Sequence, residues 1–332
     1  MSQVSVVTGA NGHLGNNLVR VLLEQGDTVV AGTRGLNPDP ALAGLACATA
    51  WVDLHAPDSL ERAFRGAARV YLVGGVFKHW ARNPQAEIYE ANIAATRNAL
   101  AAAAQCKVPK IVYISSLAAT NRDAVPITEA GWNADTANIY FRSKTDSERL
   151  AWELAQRAGI DMVSVLPGAM VGAHCYRLTP TMELLQTVLD GRLKDEPGFW
   201  FNFVDVRDVA LACRAAAERG RNGERYLLAN ENCTSVKELA RIARKLFPNR
   251  NIPVPRTAPR ALAWLIAAVA ELRAAIDKSP PSLQRNFLRA FSVQEICNVE
   301  KARTELDFKP AAPAVAIEHA LRYLAARGPG YR

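Results

Sequence analysis

Thr8-Gly-Ala-Asn-Gly-His-Leu-Gly15 decides the fold. The octapeptide stands between an apolar, β-branched run, Val4 to Val7, and a stretch in which Leu14, Leu18, Val21 and Leu22 recur at helical spacing until Gly26 ends it. A second strand-like run, Thr28 to Ala31, follows at once. Strand, glycine turn, helix and strand are thus complete within the first 31 residues, and in that setting each glycine has a physical task. Gly9 permits the tight turn, Gly12 lets backbone approach a pyrophosphate, and Gly15 lets the helix lie close on the sheet. The anion would meet free N–H groups at the positive end of the helix.

Outward from the turn, further strand-like runs at Ala50 to Val52, Arg69 to Val73, Lys110 to Ile114 and Met162 to Leu166 alternate with longer helical patterns. That rhythm predicts an α/β fold, a Rossmann doubly wound parallel sheet over residues 1–167. Beyond Pro167 it changes to a polar and aromatic loop, a helix near Asp208 to Arg219, a short strand at Tyr226 to Leu228 and then mostly helix. Residues 168–332 are expected to form a smaller, mostly helical substrate-binding part, with about 203–230 returning to the first domain. Ser235-Val-Lys-Glu238 fits a capping box, and Pro248, Pro253, Pro255 and Pro259 mark a rigid connector.

Composition narrows the class. With 332 residues, 49% hydrophobic and 22% charged, the chain is too mixed to be disordered, collagen-like or a coiled coil. Its net charge of +8 suits an anionic small molecule, but the basic residues look scattered, so no nucleic-acid partner is expected. Six cysteines (Cys47, Cys106, Cys175, Cys213, Cys233, Cys297) form no C-x-x-C, and none of the five histidines has a partner at metal-ligand spacing. Free thiols and no metal are expected. Met1 runs straight into Val4 to Val7 without a charged segment or cleavage site, which predicts a cytoplasmic protein. The apolar stretch Ala261 to Ile276, interrupted by Glu271 and Arg273, falls short of the roughly 20 apolar residues a membrane span needs. A buried or half-buried helix is expected there, with interfacial membrane contact the lesser alternative.

The end of the second strand selects the dinucleotide. A carboxylate there would bond a 2′-hydroxyl and select NAD, but the chain reads Ala31-Gly-Thr-Arg34. Arg34 offers a planar, charged fork to a 2′-phosphate, so NADP is expected over NAD, the plain alternative being a solvated surface arginine. Asp53-Leu54 follows the third strand, where Asp53 either lies at the adenine edge or caps a turn.

Tyr140 and Lys144 are four apart in a predicted helix and share a face. A phenol near pKa ~10 is a poor base at neutral pH, whereas a nearby ammonium favours phenolate. The phenol can then give a proton to a carbonyl oxygen or take one from an alcohol. Ser115 and Ser116 end the strand Ile111-Val-Tyr-Ile-Ser-Ser116, on the rim where open α/β sheets place ligands, and either hydroxyl can stabilise charge growing on a substrate oxygen. Substrate candidates follow the strands: Phe77, Lys78, His79 and Trp80; Trp132 and Asn133; His174 and Tyr176; Phe199, Trp200, Phe201 and Asn202. Their aromatic share favours an apolar or ring-containing compound.

TGANGHLG, Asp53-Leu54, Asn92 in NIAATRNAL, IVYISS, Tyr140-Phe-Arg-Ser-Lys144 and Leu166-Pro-Gly168, with FVDVRDVA and VEKARTELDF later on, together resemble an extended short-chain dehydrogenase/reductase over almost the whole chain. The likeness is strongest to the branch of dihydroflavonol 4-reductases and 3β-hydroxysteroid dehydrogenases, with bacterial relatives of the NAD-dependent epimerase/dehydratase kind. It selects Ser116 over Ser115 and implies a catalytic set of Ser116, Tyr140 and Lys144, with Lys144 also holding the nicotinamide ribose. It further implies cofactor contacts at Gly9, Asn11, Gly12, His13, Leu14, Gly15, Arg34, Asp53, Leu54, Val73, Gly74, Tyr140, Lys144, Pro167, Ala169 and Met170. Phe77, Trp80, Trp132, Tyr176 and Trp200 are the expected substrate residues. A homodimer through helices near Pro84 to Gln105 and Asn138 to Ala158 is also implied.

Leu166 stands where the family often has arginine, and Thr120-Asn121 where it commonly has Tyr-Gly, which makes a sugar nucleotide a poorer fit. The expected function is NADP-dependent reduction of a ketone or aldehyde, or oxidation of the secondary alcohol. The alternatives are a sugar-nucleotide epimerase/dehydratase with tightly held NAD and a non-catalytic dinucleotide sensor, which usually lacks the Tyr-x-x-x-Lys pair.

Overall fold

The computed structural model describes residues 3–35, 39–78, 80–277 and 279–327, and His79 lies outside them. Strands β1 (Val4–Val7), β2 (Thr28–Thr33), β3 (Ala48–Trp51), β4 (Arg69–Leu72), β5 (Lys110–Ile114) and β6 (Asp161–Pro167) alternate with α1 (His13–Glu24), α2 (Pro57–Phe64), α3 (Ala91–Gln105) and α4 (Ile139–Ala158). There follow β7 (Ala169–Val171), α5 (Pro180–Leu189), β8 (Asp195–Glu196), β9 (Trp200–Phe201), β10 (Phe203–Asp205), α6 (Val206–Arg219), β11 (Arg225–Leu228), β12 (Thr234–Ser235) and α7 (Val236–Leu246). The chain ends with β13 (Arg256–Thr257), α8 (Arg260–Asp277), α9 (Arg285–Phe291), α10 (Glu300–Leu306) and α11 (Pro313–Ala326).

Seven strands form one parallel sheet in the order β11-β6-β5-β4-β1-β2-β3. The order reverses between β1 and β4, and an open α/β sheet offers its ligand crevice at the carboxyl ends flanking such a reversal. β11 covers the edge that β6 would otherwise leave unpaired. Because helices cover both faces, the central strands are apolar without alternation. Val6 and Val7 point to opposite faces. Val7 packs under Leu18 and Leu22 of α1 and Val209 and Cys213 of α6, and Val6 under Phe64 of α2, Ala103 of α3 and Ala151 of α4. A separate core joins Leu185 of α5, Leu239 of α7 and Leu321 of α11.

Several boundaries differ from the apolar runs. β3 is Ala48–Trp51 rather than Ala50–Val52, because the ladder to β2 pairs Thr33 with Trp51. β4 stops at Leu72, since the Val73 and Gly74 amides turn to the Thr8 hydroxyl. Ser235 caps α7 by accepting from the Glu238 amide at 3.1 Å. All six cysteines are free thiols, with Cys175, Cys213 and Cys297 buried. Among the described residues no helix is long and apolar enough to cross a membrane, and no His, Cys, Asp and Glu side chains gather to hold a metal.

The helix over Ala261 to Ile276 is the main departure. The apolar stretch predicts a buried or half-buried helix, yet in α8 only Ala263, Ala267 and Ala274 are buried, and six larger aliphatic side chains face outward. The small alanine side lets α8 lie close beside α9, and no described element covers the bulky side.

Candidate active site

The glycine turn opens the crevice. Gly9 has φ +59°, and a Cβ on Gly15 would stand 2.2 Å from the Gly9 carbonyl oxygen, so α1 can rest on the turn only with glycine at 15. Gly12 begins α1 with no side-chain cap and no acid in its first turn, leaving amides and the positive helix end for an anion. The Thr8 hydroxyl donates to the Tyr71 carbonyl at 3.3 Å and accepts from the Val73 and Gly74 amides at 3.1 and 3.2 Å. It thereby fuses the turn to the segment after β4. His13 is buried, with Nε2–H donating to the Ala173 carbonyl at 3.2 Å; burial pushes its pKa down to about 4, so it is neutral. Its side chain braces the loop after β7 rather than offering charge to a phosphate.

At the adenosine end Arg34 is exposed just past β2. Asp39, which the sequence reading passed over, stands beside the turn. Its Oδ2 accepts from Asn11 Nδ2 at 2.7 Å and its Oδ1 from the Ala41 amide at 3.0 Å. No acid directly follows β2, and this one arrives five residues beyond Arg34. Asp53 Oδ1 accepts from the His55 amide at 2.9 Å and closes a turn, while the Leu54 side chain leans on Gly74.

Past β5 the two serines diverge. Ser115 donates to Glu148 Oε2 at 2.6 Å, whereas Ser116 accepts from the Ala118 amide at 3.1 Å and hydrogen-bonds the Tyr140 phenol. Asn138 caps α4, its Oδ1 accepting from the Tyr140 and Phe141 amides at 3.1 and 3.2 Å. That cap sets Tyr140 in the first turn, with Lys144 one turn further along. Lys144 Nζ donates to the Ile114 carbonyl at 3.3 Å. A Cβ on Gly75 would stand 3.3 Å from Asn92 Oδ1 and 4.0 Å from that Nζ, so Gly75 lies between the Asn92 amide and the ammonium. Asn92 accepts from the Val76 amide at 2.7 Å and donates to Ser143 Oγ at 3.2 Å, stitching the segment after β4 to α4. The Phe77 ring lies 5.2 Å from that of Tyr140.

Burial pushes the Tyr140 phenol up to about 12, opposed by the Ser116 hydrogen bond, and pulls Lys144 down to about 8, opposed by Glu148. Desolvation outweighs the Ser116 hydrogen bond, so the phenol moves away from phenolate rather than toward it and Tyr140 is protonated at neutral pH.

Of the five expected substrate aromatics, the structure brings Phe77 to Tyr140 and puts the others in different surroundings. Trp132 lies under the Arg225 guanidinium at 3.8 Å, with Arg149 at 5.0 Å, and braces a buried ion pair in which Arg225 Nε meets Glu148 Oε1 at 2.8 Å. Tyr176 is held at the end of α11, where Arg327 donates to its carbonyl at 3.1 Å. Trp80 shares a groove with Trp264, and Trp200 belongs to β9, paired with Ser235. Next to Tyr140 stands a cluster the sequence reading caught only in part. Phe141 meets Phe291 at 6.4 Å, Phe201 stacks on Phe291 at 4.9 Å, and Phe199 lies 6.3 Å from Phe287. Phe287 and Phe291 were missed; their i, i+4 spacing was the available signal. The segment from Pro167 to Met170 is pinned where β6 ends, the Gly168 amide on the Leu228 carbonyl at 3.0 Å and that of Ala169 on Asn202 at 2.7 Å.

The uncapped α1 terminus, the glycine-lined approach and the space before Lys144 fit a dinucleotide. The sequence model of the NAD dependent epimerase/dehydratase family matches residues 5–229. The chain is 30% identical over 333 residues to sterol demethylase protein B of Methylococcus capsulatus, spanning 98% of this chain and 99% of that protein. It is 29% identical over 342 residues to a putative dihydroflavonol 4-reductase of Synechocystis sp., spanning 99% and 96%. The crystal structure of gox2253 superposes with a TM-score of 0.84 at 28% identity, covering 98% of this chain and 99% of that one.

Proposed function

Because the chain belongs to the NAD dependent epimerase/dehydratase family, as an NAD(P)-dependent extended short-chain dehydrogenase/reductase of the dihydroflavonol reductase branch, we propose that it is an NADP-dependent reductase of an apolar, ring-bearing ketone or aldehyde. In reverse it would oxidise the secondary alcohol. The observation that carries this reading is the Ser116–Tyr140 hydrogen bond, with Lys144 one helical turn on and the Phe77 ring 5.2 Å from the phenol. A reduced dinucleotide, held by its pyrophosphate at the glycine turn and by its nicotinamide ribose at Lys144, would supply a hydride to the substrate carbonyl carbon. The Tyr140 phenol, protonated at neutral pH, gives its proton to the substrate carbonyl oxygen. Ser116 donates a hydrogen bond to that same oxygen as its charge grows. Lys144 favours the phenolate left behind and would hold the nicotinamide ribose, and Asn92 keeps the segment after β4 against α4. The phenylalanine cluster supports an apolar substrate, as do relatives named for a sterol and a dihydroflavonol.

Residues 1–167 are proposed as the dinucleotide domain and 168–332 as the substrate part, with 203–230 belonging to the former; the pairing of β11 with β6 supports that division. Helices α3 and α4 are proposed to pair two copies. Arg34 supports NADP, while Asp39 favours a second reading in which a carboxylate meets the 2′-hydroxyl of NAD.

Oxidation of NADPH and NADH over aromatic ketones, aldehydes and steroids tests the function. Tyr140→Phe should lower turnover ~100-fold or more with NADPH binding kept. Arg34→Ala should weaken NADPH far more than NADH, and Asp39→Asn should do the reverse. Near-full turnover of Tyr140→Phe would overturn the proton donor, and equal weakening of both cofactors by Arg34→Ala would overturn NADP. NAD that stays bound through purification would point to the epimerase instead.

A further inference from the structure

Helix α8 is inverted relative to an ordinary surface helix. Its small residues face the protein, and Leu262, Leu265, Ile266, Val269, Leu272 and Ile276 face outward, between 44% and 77% exposed. Their spacing of three and four sets them in one stripe along a helix about 27 Å long. An apolar stripe of this size on a protein surface marks something that covers it.

Charge indicates what that is. Residues 250–289 hold seven Lys and Arg against two acids, five of the chain's net +8, so the basic excess that looks scattered is concentrated here. Both acids are already paired, Glu271 with Arg285 at 2.7 Å and Asp277 with Arg273 at 3.3 Å. Arg82, Arg285 and Arg289 line a groove of about 560 Å³ between Trp80 and the α8–α9 pair. A second copy seated on the stripe would bring two such basic segments together, which like-charge repulsion opposes. A spanning orientation is ruled out by the helix's length and by Glu271 and Arg273. An apolar stripe that carries the exposed Arg273 on its own side, in a segment of net positive charge, instead suits a helix lying in the plane of an anionic interface.

We infer that α8 docks the protein on the surface of an anionic phospholipid bilayer, its aliphatic stripe among the upper acyl chains and its arginines at the headgroups. The inference stands apart from the reductase reading, though α9 links the two places. Phe287 and Phe291 of α9 reach the aromatic cluster beside Tyr140, so docking would bring the roof of that cluster to the lipid.

Flotation of the whole protein with phosphatidylcholine vesicles, and with vesicles containing about a third phosphatidylglycerol, tests it. The protein should float with the anionic vesicles at least ~tenfold more than with neutral ones at low salt, and come off as ionic strength rises toward ~0.5 M. The L265E/L272E variant, changed at positions 62% and 65% exposed, should lose vesicle binding with its thermal midpoint and circular dichroism unchanged. No flotation with anionic vesicles at low salt, or equal flotation of the variant, overturns the inference. So does a dimer that L265E/L272E dissociates, since a second copy would then be the cover. None of these readouts uses turnover, so docking can fail while the reductase reading stands.

Discussion

Lys144 carries a charge that its surroundings disfavour. Burial pulls its pKa from 10.5 to about 8, so the unfolded chain keeps that proton over a range in which the folded protein has released it. The penalty on the folded state is therefore complete below pH 8 and fades as pH rises toward 10.5. It amounts to at most about 3 kcal/mol, since the side chain is only partly buried by area. Lys144→Met keeps the stem and removes the charge. Its thermal midpoint at pH 7 should exceed that of the parent by a few degrees, with the gain shrinking toward pH 10, although turnover is lost. Thermal unfolding across pH 6–10 measures this. A lower midpoint at pH 7 would mean that the Ile114 hydrogen bond and the Glu148 field hold more than burial removes.

Among the elements, the β1–turn–α1 unit tolerates least change. A Cβ on Gly15 would meet only backbone, the Gly9 carbonyl oxygen at 2.2 Å and carbon at 2.8 Å and Ala10 Cα at 2.9 Å, so no side-chain movement can relieve it. Gly15→Ala should cost more than ~2 kcal/mol and weaken dinucleotide binding as α1 lifts off the turn. Gly12→Ala, whose Cβ approaches one atom at 3.1 Å, serves as the milder control for stability alone, since Gly12 itself is expected to admit the pyrophosphate. Denaturant unfolding of both variants and NADPH fluorescence titration of Gly15→Ala decide it; a Gly15→Ala protein as stable as the Gly12→Ala one would show that the turn yields more easily than its contacts imply.

Across the whole molecule, the returning segment ties the sheet to the proposed catalytic helix. Arg225 on β11 binds Glu148 on α4 and also donates to the carbonyls of Ala119, Glu129 and Gly131. The carboxylate sits one turn beyond Lys144 and takes the Ser115 hydroxyl, so the edge of the sheet and the reacting groups share one buried network. The outer side of the α3–α4 layer is where two copies would meet, the alanine-rich run Ala91–Gln105 allowing close helix approach. Sedimentation at micromolar concentration should show twice the 36.1 kDa chain mass. A species of 36.1 kDa alone would exclude that pairing.

What the sequence determined by itself is local and periodic. The glycine turn between an apolar run and a 3.6-residue pattern was enough for the α/β class, and Tyr140 with Lys144 at one-turn spacing was enough to put both on one face of a helix, because each depends on backbone geometry a few residues long. Tertiary structure alone decided matters resting on residues far apart in the chain. Asp39 reaches Asn11 from 28 residues away, Trp132 is taken by Arg225, and Phe291 folds back onto Phe141 and Phe201. The apolar stretch Ala261 to Ile276 announced a helix but not which side would be covered, since that depends on which elements pack there. The direction in which Tyr140 and Lys144 shift likewise follows from burial, because desolvation depends on everything that surrounds a group and spacing describes only its neighbours on the chain.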